Sequence, residues 1–428
     1  MAGALQKQLL IFTAAGLAFA AVVIWTFYWP SDDMFDITGY PLGRDFANVW
    51  SAPQIAMHSG VAALFDLDFY QESLSRLFRP GIAPLMWSYP PNMLLLIWPF
   101  GQMPYWVSFA VWMFGGFSIY VGIILLRVAR SDKCAVFAFL LLAPATVINV
   151  IVGQNGFLTA ALLLGGTSLI QKRPWLSGTA YGLLSVKPQL GLLIPIALLS
   201  IGAWRTIVSA SLTAAALVAG SVFVWGIAPW EEWINRVGPV TYQLVADYRG
   251  FHGYMMPSVF ASMRDIGMTP EFAGIAQTIV SVIIIAATAV LFRRTRDFVV
   301  RALILSSGSL LASPYSFNYD LTAITGAMLW LMTSRRQVHL YEVAVFGAAW
   351  VLPTAIYVLN GLHTGIAAWI IAAVYIVAAK RAAREQRHVA RAEPTRAPQD
   401  PGYPDNQGFA AEGNVSELCR NAKQLEAT

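Results

Sequence analysis

Asp45 lies in a short polar run, Gly43-Arg44-Asp45-Phe46, directly after a first apolar stretch of membrane length, with further acids upstream at Asp32, Asp33 and Asp36. A carboxylate at the mouth of an apolar segment is a base or a cation site if its surroundings hold it in place, and a solvated loop acid if they do not. Lys187 is the second such group. The apolar chain between Lys172-Arg173 and Arg205 reads as a hairpin with its tip at Val186-Lys187-Pro188. Each arm has only about 12–15 residues, short of the roughly twenty that cross a bilayer. The tip is therefore expected below the outer surface, with Lys187 facing protein or a wet cavity. A lysine there snorkels outward, pairs with a structural acid, or holds an anion such as a phosphate. Gln189 adds a second polar group beside it.

Two further turns carry polar side chains. Gly153-Gln154-Asn155-Gly156 is built from turn-formers, so Gln154 is either part of an ordinary turn or a ligand contact. Ser313-Pro314-Tyr315-Ser316-Phe317-Asn318-Tyr319-Asp320 is another, in which Asp320 caps the next helix or joins the polar set. Arg249 and His252 sit in a separate outer segment, where each alone reads as a solvated residue. Asp45, Gln154, Lys187, Asp320 and Arg249 all fall on one side of the expected topology. An acid to deprotonate a hydroxyl, with cations for a leaving phosphate, suits sugar transfer from a lipid phosphate. No His-x-x-x-His or Cys-x-x-Cys spacing, phosphate-binding glycine loop or dinucleotide fingerprint is present, so no metal, nucleotide cofactor or nucleic-acid partner is expected.

The elements that position these groups follow from composition. The 428 residues are 57% hydrophobic and 12% charged, with a mean hydropathy of +0.58. A soluble domain is nearer a quarter charged. Apolar stretches separated by basic turns predict an all-α polytopic transmembrane bundle, because helices satisfy their own backbone in lipid. Spans are expected near 9–29, 104–127, 134–152, 156–171, 175–187, 188–203, 205–227, 271–292, 299–313, 319–333, 341–359 and 363–380, about 11–13 crossings in all. The first lacks a cleavage site and reads as a retained helix. Two cysteines, Cys134 and Cys419, make no disulfide framework.

Arg127, Arg130 and Lys133, then Lys172-Arg173, Arg205, Arg293-Arg294-Thr295-Arg296, Arg335-Arg336 and Lys380-Arg381 all fall on one face if the spans alternate. The positive-inside rule makes that face cytoplasmic, with both termini inside. Segment 46–80 has apolar residues at spacings of three and four, predicting interfacial amphipathic helices within an outer region, 46–100. Residues 92–100 are too few to cross and are expected to dip and return. Residues 228–270 form a second outer segment. The transmembrane domain is expected over 1–380, and 381–428 reads as a polar, disordered cytoplasmic tail.

The chain resembles glycosyltransferase family 87 of the GT-C superfamily, which includes polyprenol-phosphate-mannose-dependent α-mannosyltransferases. The likeness runs over about 9–380. It rests on Arg44-Asp45-Phe46 followed by Trp50-Ser51-Ala52, Leu64-Phe65-Asp66, Tyr89-Pro90-Pro91, Gly153-Gln154, Lys187-Pro188-Gln189, and Ser313-Pro314 with Tyr319-Asp320. It implies an inverting, nucleotide-independent transfer of a sugar, mannose in the best-known members, from a polyprenyl phosphate to a lipid or glycan acceptor. It places the enzyme in a bacterial plasma membrane with its site on the outer face. The proposed base of such enzymes, an aspartate of the first outer loop, maps to Asp45. Lys187 then faces the departing phosphate, with Arg44, Tyr89, Gln154, Gln189, Arg249, His252, Asn318 and Asp320 as further substrate contacts. Relatives often carry a histidine in the last turn, where this chain has Phe317 and Asn318. A flippase or transporter of lipid-linked glycans would also need intramembrane charge, but no single carboxylate for chemistry, and no inverted repeat is evident. A non-catalytic assembly factor is a third reading.

Overall fold

A computed structural model describes residues 2–27, 29–31, 35–247, 253–334 and 337–392. Among these the chain is all α-helical, and several helices are long and apolar enough to cross a membrane. Four qualify singly: Tyr105–Leu125, Trp204–Trp225, Pro270–Arg294 and Leu340–Gly361. Arg130–Leu141 and Pro144–Val152 make a fifth only as a pair bent by 48°. Several of the other expected spans are shorter apolar helices, among them Gly156–Leu169, Pro188–Ser200 and Phe298–Ala312. The hairpin expected over 175–203 is further divided, into Pro174–Leu183, Pro188–Gly191 and Ile194–Ser200 with a 3-10 turn at Leu184–Val186.

The shortness has a structural reason. A helix the length of Phe298–Ala312 spans only about 22 Å, and every residue in it but the first is buried. Thr322–Thr333 is buried almost as fully. These central helices stop early and give way to irregular turns, and irregular backbone is tolerated at membrane depth only where protein surrounds it or a cavity opens. By contrast, Trp204–Trp225 is peripheral and presents Leu212, Phe223 and Val224 outward. It packs closely on Pro174–Leu183 because Gly178 and Gly182 face it. A Cβ at Gly182 would lie 2.5 Å from the Thr213 Cβ and 2.6 Å from the Ala210 carbonyl, the small-residue contact of membrane helix pairs.

The two ends of the bundle differ. At one, the basic turns meet: Arg127 donates to the Ser168 carbonyl at 2.9 Å, Gln171 to Arg296 at 3.3 Å, and Arg293 to Ser200 at 2.8 Å. At the other, the turns carrying Asp45, Gln154, Lys187 and Asp320 converge. Helix Gly156–Leu169 connects them, with Asn155 at its start and Ser168 at its finish.

Two expectations need correction. Helix Phe46–Ser59 does not present the one-sided amphipathic face expected of it, because nine of its 14 residues are buried in protein. Leu67–Leu77 does have the expected two-faced pattern, burying only Tyr70 and Leu74. The last helix also does not end near 380: Ala367–Ala392 is continuous. Arg381 clasps the buried Glu342 carboxylate at 2.8 and 2.6 Å, and Glu385 accepts from the Thr295 hydroxyl and the Arg296 amide. Residues 381–387 therefore belong to the folded unit, and 393–428 lie outside the described residues.

Candidate active site

Asp45 owes its place to two turns that one helix holds together. The Tyr105 hydroxyl donates to the Leu42 carbonyl at 2.8 Å, and two turns further along Tyr105–Leu125 the Trp112 indole donates to the Gly153 carbonyl at 3.1 Å. The turns then touch directly, through the Asp45 amide and the Val152 carbonyl at 3.0 Å. Gly153 makes this possible. It adopts φ +66°, and a Cβ there would overlap the Gly43 carbonyl oxygen and the Phe46 Cβ. Arg44 itself has φ +38°, uncommon for a residue with a side chain. Its guanidinium is held at 2.8 Å by the buried Asp36. Asp36 also accepts from the Thr38 hydroxyl at 2.6 Å and from the Thr38 and Tyr40 amides at 2.8 and 3.2 Å. Asp36 is thus the organiser of the loop, while Asp32 and Asp33 lie outside the described residues.

A directional chain of hydrogen bonds ends on Asp45. Gln154 Nε2 donates to Asp45 Oδ2 at 2.7 Å. Gln154 Oε1 accepts from the Tyr89 hydroxyl at 2.9 Å and from the Asn155 amide at 3.3 Å. The Tyr89 oxygen accepts from Asn155 Nδ2 at 3.1 Å, and Asn155 Oδ1 faces the Lys187 ammonium at 3.4 Å. Burial raises the Tyr89 phenol well above its ordinary pKa, so it stays protonated and remains the donor that fixes the Gln154 amide. Every donor in the chain points toward Asp45, so the carboxylate is the acceptor on which the chain ends.

Lys187 is not a free cation. Its ammonium lies 2.6 Å from Asp320 Oδ1, and the side chains are 3% and 0% exposed. It also sits over the Tyr319 ring at 4.6 Å. Asp320 Oδ2 accepts from the Phe317 amide at 3.1 Å, so Asp320 is at once the local cap and the lysine's counter-ion. Asn149 holds this turn beside the first two, donating to Tyr319 and Thr322.

These groups border a cavity of about 810 Å³. Asp45, Arg44, Asn48, Tyr89, Gln154, Lys187 and Gln189 line it, together with an apolar wall from Trp233, Ile234, Val237, Val240, Leu244 and Met255. Most of the wall belongs to a segment that runs as Ala228–Glu232, a π-helical turn at Trp233–Val237, and Gly238–Asp247. Its Trp233 indole donates to the Ser88 carbonyl at 3.1 Å, and Arg236 reaches Asp66 at 3.2 Å. The volume is typical of a site for a sizeable organic ligand.

The expected residues are therefore mostly gathered. Asp320 stands behind Lys187 and does not reach the cavity wall. Asn318 points elsewhere: fully buried, it donates to the Pro353 carbonyl at 2.8 Å and the Tyr357 hydroxyl at 3.2 Å, clipping its turn to helix Leu340–Gly361. It is a packing residue, not a cavity contact. Arg249 and His252 lie outside the described residues. Sequence reading missed Asn48, although it stands one helical turn after Asp45. It also did not foresee that Asn155 would join Lys187 to Tyr89. Among the described residues no three His, Cys, Asp or Glu side chains gather as a metal site requires.

No curated protein and no solved structure matches the chain. Glycosyltransferase family 87 matches residues 87–314, over half of the sequence. The matched region contains Tyr89, Gln154 and Lys187, and Asp45 joins it through Val152 and Gln154. An all-helical membrane bundle, a cavity joining a fixed carboxylate to an apolar wall, and this match agree: the chain belongs to glycosyltransferase family 87 and is a membrane glycosyltransferase.

Proposed function

We propose that the protein moves a sugar, mannose, from a polyprenyl-phosphate donor to a lipid or glycan acceptor on the outer face of a bacterial plasma membrane, with inversion. The observation that carries this reading is the Asp45 carboxylate, oriented by Gln154 in the lining of a cavity that also has an apolar wall. The wall suits a prenyl chain, and the polar side suits sugars. The gathering of Arg127, Arg293 and Arg296 at the other end of the bundle supports the outward assignment of the cavity.

In this mechanism Asp45 accepts the proton of the acceptor hydroxyl. The oxygen attacks the anomeric carbon opposite the phosphate. The bond from that carbon to the phosphate oxygen breaks, its electron pair leaves with the polyprenyl phosphate, and the anomeric configuration inverts. Lys187 faces the leaving phosphate. Because Asp320 already neutralises it, it acts there as a hydrogen-bond donor more than as a net charge. Arg249, which lies in sequence between Leu244 and Met255 of the apolar wall, supplies the further cation, and Arg44, Tyr89 and Gln189 complete the polar lining.

The test is transfer by purified protein in sealed vesicles of known orientation, supplied with radiolabelled polyprenyl-phosphate-mannose or GDP-mannose and a membrane lipid extract. Transfer from the lipid donor alone is expected. Direct transfer from GDP-mannose, with polyprenyl-phosphate-mannose synthesis excluded, would overturn the mechanism.

A further inference from the structure

Asn48 is 7% exposed, yet it lines the cavity. Its amide is held in one orientation from behind. The Tyr70 hydroxyl donates to Asn48 Oδ1 at 2.8 Å, and with its proton so used accepts from the Ser51 hydroxyl at 3.2 Å. Tyr70 and Ser51 are both fully buried. Burial raises the Tyr70 phenol above its ordinary pKa and keeps it the donor. Asn48 Oδ1 is thereby occupied, while Nδ2 makes no hydrogen bond among the described residues and is not sealed off among the buried polar atoms. A buried amide whose donor has no protein partner and opens on a cavity is a ligand contact left vacant by the protein itself.

Its position defines the ligand. The Asn48 amide bonds to the Asp45 carbonyl at 3.0 Å, so the two residues are one turn apart on one helix face. Side chains at that spacing have Cβ atoms about 5–6 Å apart. One is an acceptor of hydrogen bonds and the other a donor. A vicinal diol spans that gap when one oxygen donates to Asp45 and its neighbour accepts from Asn48, each at about 2.8 Å. We propose that Asn48 binds the acceptor sugar through the hydroxyl adjacent to the one Asp45 deprotonates, with Tyr70 as the positioning residue that keeps Nδ2 forward. The pair selects a hydroxyl flanked by a second hydroxyl over an isolated one. This inference rests on the transfer reading above.

The experiment measures binding and transfer separately, with octyl α-mannoside and its monodeoxy analogues as probes. Wild type should bind octyl α-mannoside in lipid nanodiscs, while Asn48→Asp and Asn48→Ala bind it roughly three- to ten-fold more weakly, the effect of one neutral hydrogen bond. Tyr70→Phe should show a smaller loss although it touches no ligand. In transfer from polyprenyl-phosphate-mannose, Asn48→Ala should raise the acceptor KM and leave the donor KM in place. One monodeoxy analogue should bind wild type as weakly as octyl α-mannoside binds Asn48→Ala, with no further loss when both changes are combined. That comparison needs only folded wild type to show its first effect. Absence of octyl α-mannoside binding to wild type overturns the inference, and so does equal binding by wild type and a folded Asn48→Ala. Transfer that proceeds normally while Asn48→Ala leaves the acceptor KM unchanged sinks this inference alone and leaves the transfer reading standing.

Discussion

Lys187→Ala should cost the protein stability before it costs chemistry. The lysine and Asp320 are 2.6 Å apart and almost wholly removed from solvent. Removing one partner leaves an uncompensated buried charge, which costs about 3–5 kcal/mol, whereas replacing both by apolar groups of similar volume is often near neutral. Asp320 also holds the Phe317 amide, and that bond adds about 1 kcal/mol to any loss from changing the aspartate. Lys187→Met and Asp320→Leu should therefore each lower the melting temperature of the purified protein strongly. The double variant should recover most of the Lys187→Met loss, leaving the cap deficit. The coupling between the two, read from the double-mutant cycle, should be at least about 2 kcal/mol. Losses that simply add would refute the buried-pair argument. Transfer by the double variant then separates the roles: a stable but inactive double places Lys187 at the donor phosphate, and a stable, active one makes the pair purely structural.

Asp45→Asn should lower turnover about 10²–10⁴-fold, since an amide keeps the shape and the Gln154 contact but cannot take the proton; near-normal turnover would remove Asp45 from the mechanism. Gly153→Ala should abolish transfer in protein that still inserts, because its Cβ collides with Gly43 and Phe46 and pushes Asp45 away from Gln154; wild-type turnover would show that this approach is dispensable. Truncation after Ala392 should leave stability and transfer intact, whereas truncation after Lys380 should lower the melting temperature by stranding Glu342 and freeing Thr295. Equal behaviour of the two truncations would remove the Arg381 and Glu385 contacts from the stability of the fold.

The sequence by itself determined the class of molecule and the order of its parts. Apolar runs and basic turns are local signals, and Tyr105–Leu125, Trp204–Trp225, Pro270–Arg294 and Leu340–Gly361 stand where those signals put them. The polar turns at 153–155, 186–189 and 313–320 were legible for the same reason: unlike composition, they interrupt helices. What the sequence did not contain was which turn meets which. Asp45 and Gln154 are 109 residues apart, and Lys187 and Asp320 are 133 apart. Only the packing around Tyr105, Trp112, Asn149 and Gly153 brings them together. Pairing also settled what the residues alone left open: Lys187, which could snorkel outward, pair with an acid or hold a phosphate, is ion-paired with Asp320, an acid that also caps its own turn. Asn318 turned inward to Pro353, and Asn48, silent in a motif search, became the forward donor because Tyr70 fixes it from behind. The polar tail composition hid Arg381 and Glu385 for a similar reason, since their partners, Glu342 and Thr295, belong to other helices. A side chain's type is local, but its partners, and therefore its charge state, its direction and its use, are decided by tertiary contact.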